Sequence, residues 1–259
     1  MGAVALASPL AARGALAADL AMSLDPVRLS EAAGIKPDPW QAEVLRSSAP
    51  RMLLNCSRQS GKSTTVATLA VHTALYEAGA LVLLLSPSLR QSGELFKKAL
   101  GMYRALGRPV PAESESALSL TLDNGSRILS LPGKEGTIRG FSGVSLLAID
   151  EAAWVPEALY LSVRPMLAVS GGRLVVLSTP HGTRGFFYEA WRGSEAWERV
   201  EVPATSCPRI SPAFLAEERR TMGEWFFQQE YCCTFSESEA QLFNRSDIDA
   251  AFREEIEPW

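Results

Sequence analysis

The stretch Met52-Leu-Leu-Asn-Cys-Ser-Arg-Gln-Ser-Gly-Lys-Ser-Thr-Thr65 constrains this chain more than any other. A short apolar run enters a polar turn ending in Gly61-Lys62-Ser63, and an apolar-periodic segment follows at once. A strand, a phosphate-sized loop and a helix start, in that order, are the layout of a P-loop. In such a loop the backbone N–H groups and the helix N-terminus face an anion, the lysine neutralises phosphate charge, and the hydroxyl binds Mg²⁺. The usual pattern, G-x-x-x-x-G-K-[ST], has a glycine where Cys56 stands. A cysteine is tolerable there only with negative φ, because the left-handed region is costly for it. Gly-Lys-Ser alone also occurs by chance, so the rest of the chain must decide.

Beyond Pro37-Asp-Pro39, strand and helix patterns alternate. Met52–Cys56 reads as a strand and Lys62–Tyr76 as a helix. Leu81–Ser86 is an apolar run of the kind buried on both faces of a parallel sheet. Ser88 is placed to cap a helix running to about Leu106. Leu118–Leu122 and Arg127–Leu131 flank Asp123-Asn-Gly125, a hairpin signal. Ser145–Ile149 and Arg173–Ser178 are two more buried-type strands, with a helix from about Pro156 between them. A short helix over Phe186–Trp191, a strand over Trp197–Val202 and helical text after Cys207, with Ser211-Pro212 as N-cap and first turn, complete the pattern. Such alternation predicts an α/β fold with a mostly parallel sheet flanked by helices.

Two further strand ends carry chemistry. Leu146–Ile149 runs into Asp150-Glu151, and ligands in open α/β sheets bind at the carboxyl ends of strands. There Asp150 would hold a metal and Glu151 would polarise an attacking water as general base; a plain acidic surface turn is the alternative. Val175–Leu177 ends in Ser178-Thr179-Pro180, whose hydroxyls could sense a γ-phosphate or merely close a strand.

With Ser57-Arg-Gln-Ser-Gly-Lys-Ser63, Ile138-Arg-Gly-Phe141, Ile149-Asp-Glu-Ala152, Leu177-Ser-Thr-Pro-His-Gly-Thr183, Phe227-Gln-Gln-Glu-Tyr231 and Phe235, positions 37 to 236 resemble the ATPase domain of the phage terminase large subunit. A P-loop with Arg58 and without its first glycine is itself typical of that family. The resemblance implies a RecA-like P-loop NTPase core over 1–205, with an N-terminal extension over 1–36. A C-terminal lid subdomain and tail follow over 206–259. It implies ATP and Mg²⁺ as cofactors and a nucleotide site made of Ser57, Arg58, Gln59, Ser60, Gly61, Lys62, Ser63, Thr64 and Thr179, with Gln41 recognising adenine. Ser63 and Asp150 would hold the metal, and Lys62, Glu151 and Arg139 would be catalytic. Arg139 resembles an arginine finger reaching the ATP of a neighbouring subunit, Arg58 a γ-phosphate sensor, and Thr179 the link from hydrolysis to DNA movement. The implied partners are double-stranded DNA, the portal protein, the small terminase subunit and further copies in a ring, in the cytoplasm of the host bacterial cell. The family's RNase H-like nuclease domain has no counterpart before Trp259, so DNA cleavage is not expected of these residues.

Bulk properties bound the alternatives. With 259 residues, 47% of them hydrophobic, the chain can bury a full core. A net charge of −4 makes the whole chain no electrostatic magnet for nucleic acid, so DNA contact must be local. Lys97, Lys98, Arg104, Arg108, Arg184, Arg192, Arg219 and Arg220 are scattered candidates. Cys56, Cys207, Cys232 and Cys233 show no C-x-x-C pairing, which argues against zinc and fits a reducing cytosol. The Ala- and Leu-rich stretch from Met1 to Leu24 lacks a basic start and is broken by Pro9, Arg13 and Asp19, so it reads as a weak amphipathic helix or frayed tail. No apolar run reaches the roughly 18 residues of a membrane span. The rival readings are a helicase-like translocase, which needs a second RecA-like domain, a non-hydrolysing ATP-dependent module, and a small-molecule kinase.

Overall fold

The apolar runs become the strands of one sheet. The computed structural model describes residues 9–132 and 140–237. Among these residues the strands are β1 (Arg51–Cys56), β2 (Leu81–Ser86), β3 (Ala112–Glu115), β4 (Ser119–Leu122), β5 (Arg127–Pro132), β6 (Leu146–Asp150), β7 (Arg173–Ser178) and β8 (Glu198–Val202). They lie in the order β3-β4-β5-β2-β6-β7-β1-β8. From β5 to β8 every pairing is parallel, and the β3-β4-β5 edge is antiparallel. The helices are α1 (Pro9–Leu24), α2 (Pro26–Ala32), α3 (Pro39–Arg46), α4 (Lys62–Tyr76), α5 (Leu89–Ala105), α6 (Glu157–Val163), α7 (Phe186–Arg192), α8 (Pro212–Met222) and α9 (Glu224–Cys232). None of them is long and apolar enough to cross a membrane.

The two-residue period of a strand sends alternate side chains into two cores. Met52, Leu54, Val82, Leu84, Leu146, Ala148, Val175 and Leu177 pack with α2 to α5. Leu53, Leu83, Leu85, Leu147, Ile149, Leu174 and Val176 pack with α6 and α7. Leu83, Leu84 and Leu85 have no exposed surface, and each contributes about 1.5–3 kcal/mol of burial free energy.

The predicted caps are present: the hydroxyls of Ser88 and Ser211 accept from the backbone N–H of Gln91 and Phe214 at 3.3 and 3.2 Å. The hairpin forms around Asp123–Gly125, with Asn124 Nδ2 donating to the Ala74 carbonyl at 2.9 Å, which ties the turn to the end of α4. Strand β3 was not expected. Its Ala-Glu-Ser-Glu is largely exposed and carries no apolar alternation, so only pairing with β4 reveals it. The polar C-terminal text also divides, at Gly223 (φ 81°), into two helices.

One glycine is required by space. A Cβ on Gly172 would lie 1.8 Å from the Val144 carbonyl oxygen, where β6 and β7 begin. Gly172→Ala is expected to cost about 3 kcal/mol by overpacking, read as a lower urea midpoint with unchanged slope. An unchanged midpoint would mean that the two strand starts can move apart freely.

Candidate nucleotide site

The sheet order brings three strand ends together. β7 lies between β6 and β1, and its register pairs Ser178 with Asn55 and Leu177 with Asp150. The chain leaves β1 through α4 on one face of the sheet and leaves β7 through α7 on the other. A crevice therefore opens at the carboxyl ends of β1 and β7, the usual ligand position in open α/β sheets.

Lys62, the first residue of α4, points into this crevice with a side chain only 9% exposed. Its Nζ lies 3.2 Å from Glu151 Oε1 and donates to Thr179 Oγ1 at 3.2 Å. One residue on, Ser63 Oγ donates to Asp150 Oδ2 at 3.0 Å. The Ser178 hydroxyl accepts from Ala153 N–H at 3.1 Å and donates to the Thr179 carbonyl at 2.7 Å, joining the segment after Glu151 to the end of β7. The expected residues from three separate strands thus meet at one place.

Backbone conformation explains the irregular loop. Cys56 is the last residue of β1 and has negative φ, as a cysteine there requires. The positive angles fall instead on Gln59 (φ 59°) and Gly61 (φ 97°). Glu151 is also left-handed, at φ 52° and ψ 43°, a conformation that costs a non-glycine residue roughly 1–2 kcal/mol. Such strain concentrates at functional sites; here it turns the Glu151 carboxylate toward Lys62.

The charges are two carboxylates against one ammonium. Burial works against the charge on Lys62, but Glu151 and Asp150 outweigh it and hold the ammonium above the ordinary lysine value. Burial raises the Asp150 carboxyl, with Lys62 opposing. The donor chemistry fits Mg²⁺: Ser63 and Asp150 present hard oxygens side by side. Mg²⁺ takes one or two carboxylates and completes its shell with water and substrate phosphate rather than a protein cage. A phosphate chain fits as well: the loop turns through Gln59 and Gly61 into the first turn of α4, where helix-start N–H groups face an anion, and the buried hydroxyls of Ser57 and Ser60 meet only the thiols of Cys207 and Cys56.

Burial also protects the loop's thiol. Cys56 is fully buried and its thiol is pushed up to about 12; Cys207 and Cys233 are buried, and Cys232 is half-buried. Burial raises the Cys232 thiol as well, but it alone of the four is part-exposed. Because the thiolate is the reactive form, a thiol reagent is expected to modify Cys232 first, and faster as pH rises, and the other three only on unfolding. Rapid labelling of Cys56 in the folded chain would contradict this packing.

Several neighbours escaped sequence reasoning. Arg209, on the segment after β8, donates through Nη2 to Asp38 Oδ2 at 2.7 Å and to the Ser60 carbonyl at 2.9 Å. Glu230 of α9 accepts from Arg58 N–H through its carbonyl at 2.8 Å and pairs with the Arg58 guanidinium at 3.2 Å. Asn55 donates to the Cys233 carbonyl at 2.8 Å. These partners lie far apart in the chain, so no local pattern points to them. Gln41 is in place but engaged: its amide oxygen accepts from Asp38 N–H at 2.8 Å, and its Nε2 donates to Thr65 Oγ1 at 2.9 Å and to the Gly61 carbonyl at 3.3 Å. Thr64, in the first turn of α4, is half-exposed beside the loop. Arg139 lies in 133–139, outside the described residues. Of the basic residues considered for DNA, Lys97, Arg104, Arg108 and Arg219 form ion pairs with Glu94, Glu115, Glu115 and Glu224.

Comparison with known proteins decides the family. The family model described as the N-terminal part of the T4likevirus-type terminase large subunit matches residues 53–250, most of the chain. The chain belongs to the terminase large subunit family. A large terminase of Thermus virus P23-45 is 25% identical over 260 residues, covering 84% of this chain and 52% of that protein. The chain therefore spans about half the length of the curated terminases it matches. In fold it is similar to the large terminase ATPase domain of Thermus phage P74-26, with a TM-score of 0.70, 22% identity and coverage of 80% of this chain and 97% of that one. It is also similar to the large terminase of another thermophilic bacteriophage, solved with ATP-gamma-S (TM-score 0.62, 15% identity, 76% and 52% coverage). This terminase chain thus has the RecA-like fold of those domains.

Proposed function

We propose that this chain is a Mg²⁺-dependent ATPase, the part of a large terminase whose turnover drives double-stranded viral DNA into a procapsid. The observation that carries the reading is the meeting of Lys62 with Glu151 and Thr179, each at 3.2 Å, beside the Ser63–Asp150 pair. The ATP-gamma-S complex of the thermophilic-phage large terminase is in keeping with it.

In this reading the backbone of Ser57, Arg58, Gln59, Ser60 and Gly61, with Thr64 at the helix start, cradles the phosphates of ATP. Lys62 neutralises the β- and γ-phosphates, and its burial strengthens that contact. Ser63 and Asp150 hold Mg²⁺, which supplies charge neutralisation on the phosphate oxygens when bound. Glu151 takes a proton from water as the water oxygen bonds to the γ-phosphorus and the bond to the ADP oxygen breaks. Thr179, tied through Ser178 to the segment after Glu151, passes loss of the γ-phosphate toward α7. Arg58 responds to the γ-phosphate, and Arg139 completes the site of a neighbouring copy. The helices α8 and α9 act as a lid joined to the loop through Arg209 and Glu230. The machine operates in the infected bacterial cell as a ring, with the portal, the small terminase subunit and DNA as partners.

Phosphate release from ATP by the purified chain tests this. Turnover is expected to require Mg²⁺ and to stop with EDTA, and the rate per subunit is expected to climb with protein concentration as shared sites form. Tight ATP binding without any turnover, with portal and DNA supplied, would identify a non-hydrolysing module instead.

A further inference from the structure

The chain leaves β6 and β7 in two short turns, and a pair of rings joins them. Trp154 lies three residues after Glu151, and His181 two residues after Thr179. Their rings stack at a centroid distance of 3.6 Å with 21° between the planes. Resting on the ATP reading above, we propose that Trp154 and His181 are positioning residues for hydrolysis, a clasp that holds the Glu151 carboxylate in place against Lys62 and Thr179.

The turn after β6 needs such a clasp. Glu151 is left-handed at φ 52°, and a strained residue keeps its conformation only where its surroundings over-determine it. A single 3₁₀ turn follows, Ala152–Trp154, in which Trp154 N–H donates to the Glu151 carbonyl at 3.0 Å. Across to β7, Ala153 N–H donates to the Ser178 hydroxyl at 3.1 Å. One such bond leaves the turn free to pivot about it. The ring stack adds a second point of attachment, and two points fix an orientation.

Neither ring owes its place to burial or to a hydrogen bond at its edge. Trp154 is 56% exposed, so filling a core does not account for it. His181 has its Nδ1 buried without a hydrogen-bond partner, so no polar contact at that nitrogen sets the ring. The imidazole packs on the indole instead, and the charged groups that face it are Arg184 and Glu230. Glu230 also pairs with the Arg58 guanidinium at 3.2 Å, so the clasp borders the contact between α9 and the loop.

Steady-state hydrolysis of Mg²⁺-ATP by the full chain, with kcat and KM separated, tests the clasp. Trp154→Ala and His181→Ala are each expected to lower kcat about tenfold, the scale of one aromatic pair, with KM nearly unchanged. The double variant is expected to be no slower than the slower single one, because either change alone opens the clasp. Trp154→Phe and His181→Phe keep a flat ring in the stack, and the second also removes the orphaned nitrogen. Each is expected to recover most of the loss. Native kcat in both alanine variants, multiplied losses in the double variant, or no recovery with phenylalanine overturns the proposal. A KM that rises as kcat falls does so too, since it marks a damaged phosphate site. Hydrogen exchange over 151–155 reads the turn without ATP: faster exchange is expected in both alanine variants, and unchanged exchange overturns the clasp even where turnover falls. A native chain that binds Mg²⁺-ATP and never turns it over removes the ATP reading, and the catalytic role with it, whatever the exchange shows.

Discussion

Glu151→Gln is expected to lower the rate of ATP hydrolysis by about 10³–10⁴-fold, toward the upper range for loss of a general base, with ATP affinity nearly unchanged. The substitution is close to isosteric. Glutamine can still accept from Lys62 Nζ through its amide oxygen, replacing the 3.2 Å contact of Glu151 Oε1. It also inherits the same left-handed backbone at φ 52°. Fold and loop are therefore retained, and what is lost is the ability to take a proton from water. Single-turnover hydrolysis beside equilibrium nucleotide binding separates the two. A variant that hydrolyses at the native rate would return Glu151 to a structural role, pairing Lys62 and ending β6. A variant that loses ATP binding as well would mean that the carboxylate chiefly positions the loop lysine. The strain at this residue favours the chemical role, since a purely structural turn could use glycine or asparagine at lower cost.

The depth at which features could be read from the sequence follows the range of the interaction that creates them. Leu81–Ser86 and Lys62–Tyr76 form over the expected residues because continuous apolar runs and helix periodicity are local signals. The caps at Ser88 and Ser211 are local in the same way. The missing glycine at Cys56 is also explained locally, because the strand ends there and the left-handed turns fall on Gln59 and Gly61. Strand β3 escaped because its residues bury little surface and pair only at the sheet edge. Arg209 and Asp38 are separated by 171 positions, and Arg58 and Glu230 meet only because α9 folds back over the loop. The motif at Gly61-Lys62-Ser63 is local and legible as the proposed phosphate position; the groups that hold its outer side, Arg209 and Glu230, come from packing. Gln41 stands beside the loop, with its amide bonded to Asp38, Gly61 and Thr65, contacts that no local pattern announces.

Removing the charge of Lys62 is expected to act on binding and chemistry together, which distinguishes it from the change at Glu151. Lys62→Met keeps most of the buried stem and deletes the ammonium, so the packing of α4 against the sheet is preserved while the phosphates lose their cation. Turnover is expected to fall by about 10³-fold, the upper range for losing one preorganised electrostatic group. ATP affinity is expected to fall as well, because the ammonium faces phosphate in the bound ground state and not only in the transition state. The variant also leaves Asp150 and Glu151 facing each other without the ammonium now 3.2 Å from Glu151. Part of the defect is therefore repulsion between the two carboxylates, and Mg²⁺ alone is expected to raise the melting temperature of Lys62→Met more than that of the native chain. Equilibrium ATP binding and melting with and without Mg²⁺ read both consequences. Native ATP affinity in Lys62→Met would place the phosphates elsewhere, whereas lost affinity with the Mg²⁺ response intact would locate phosphate at Lys62 and the cation at Ser63 and Asp150.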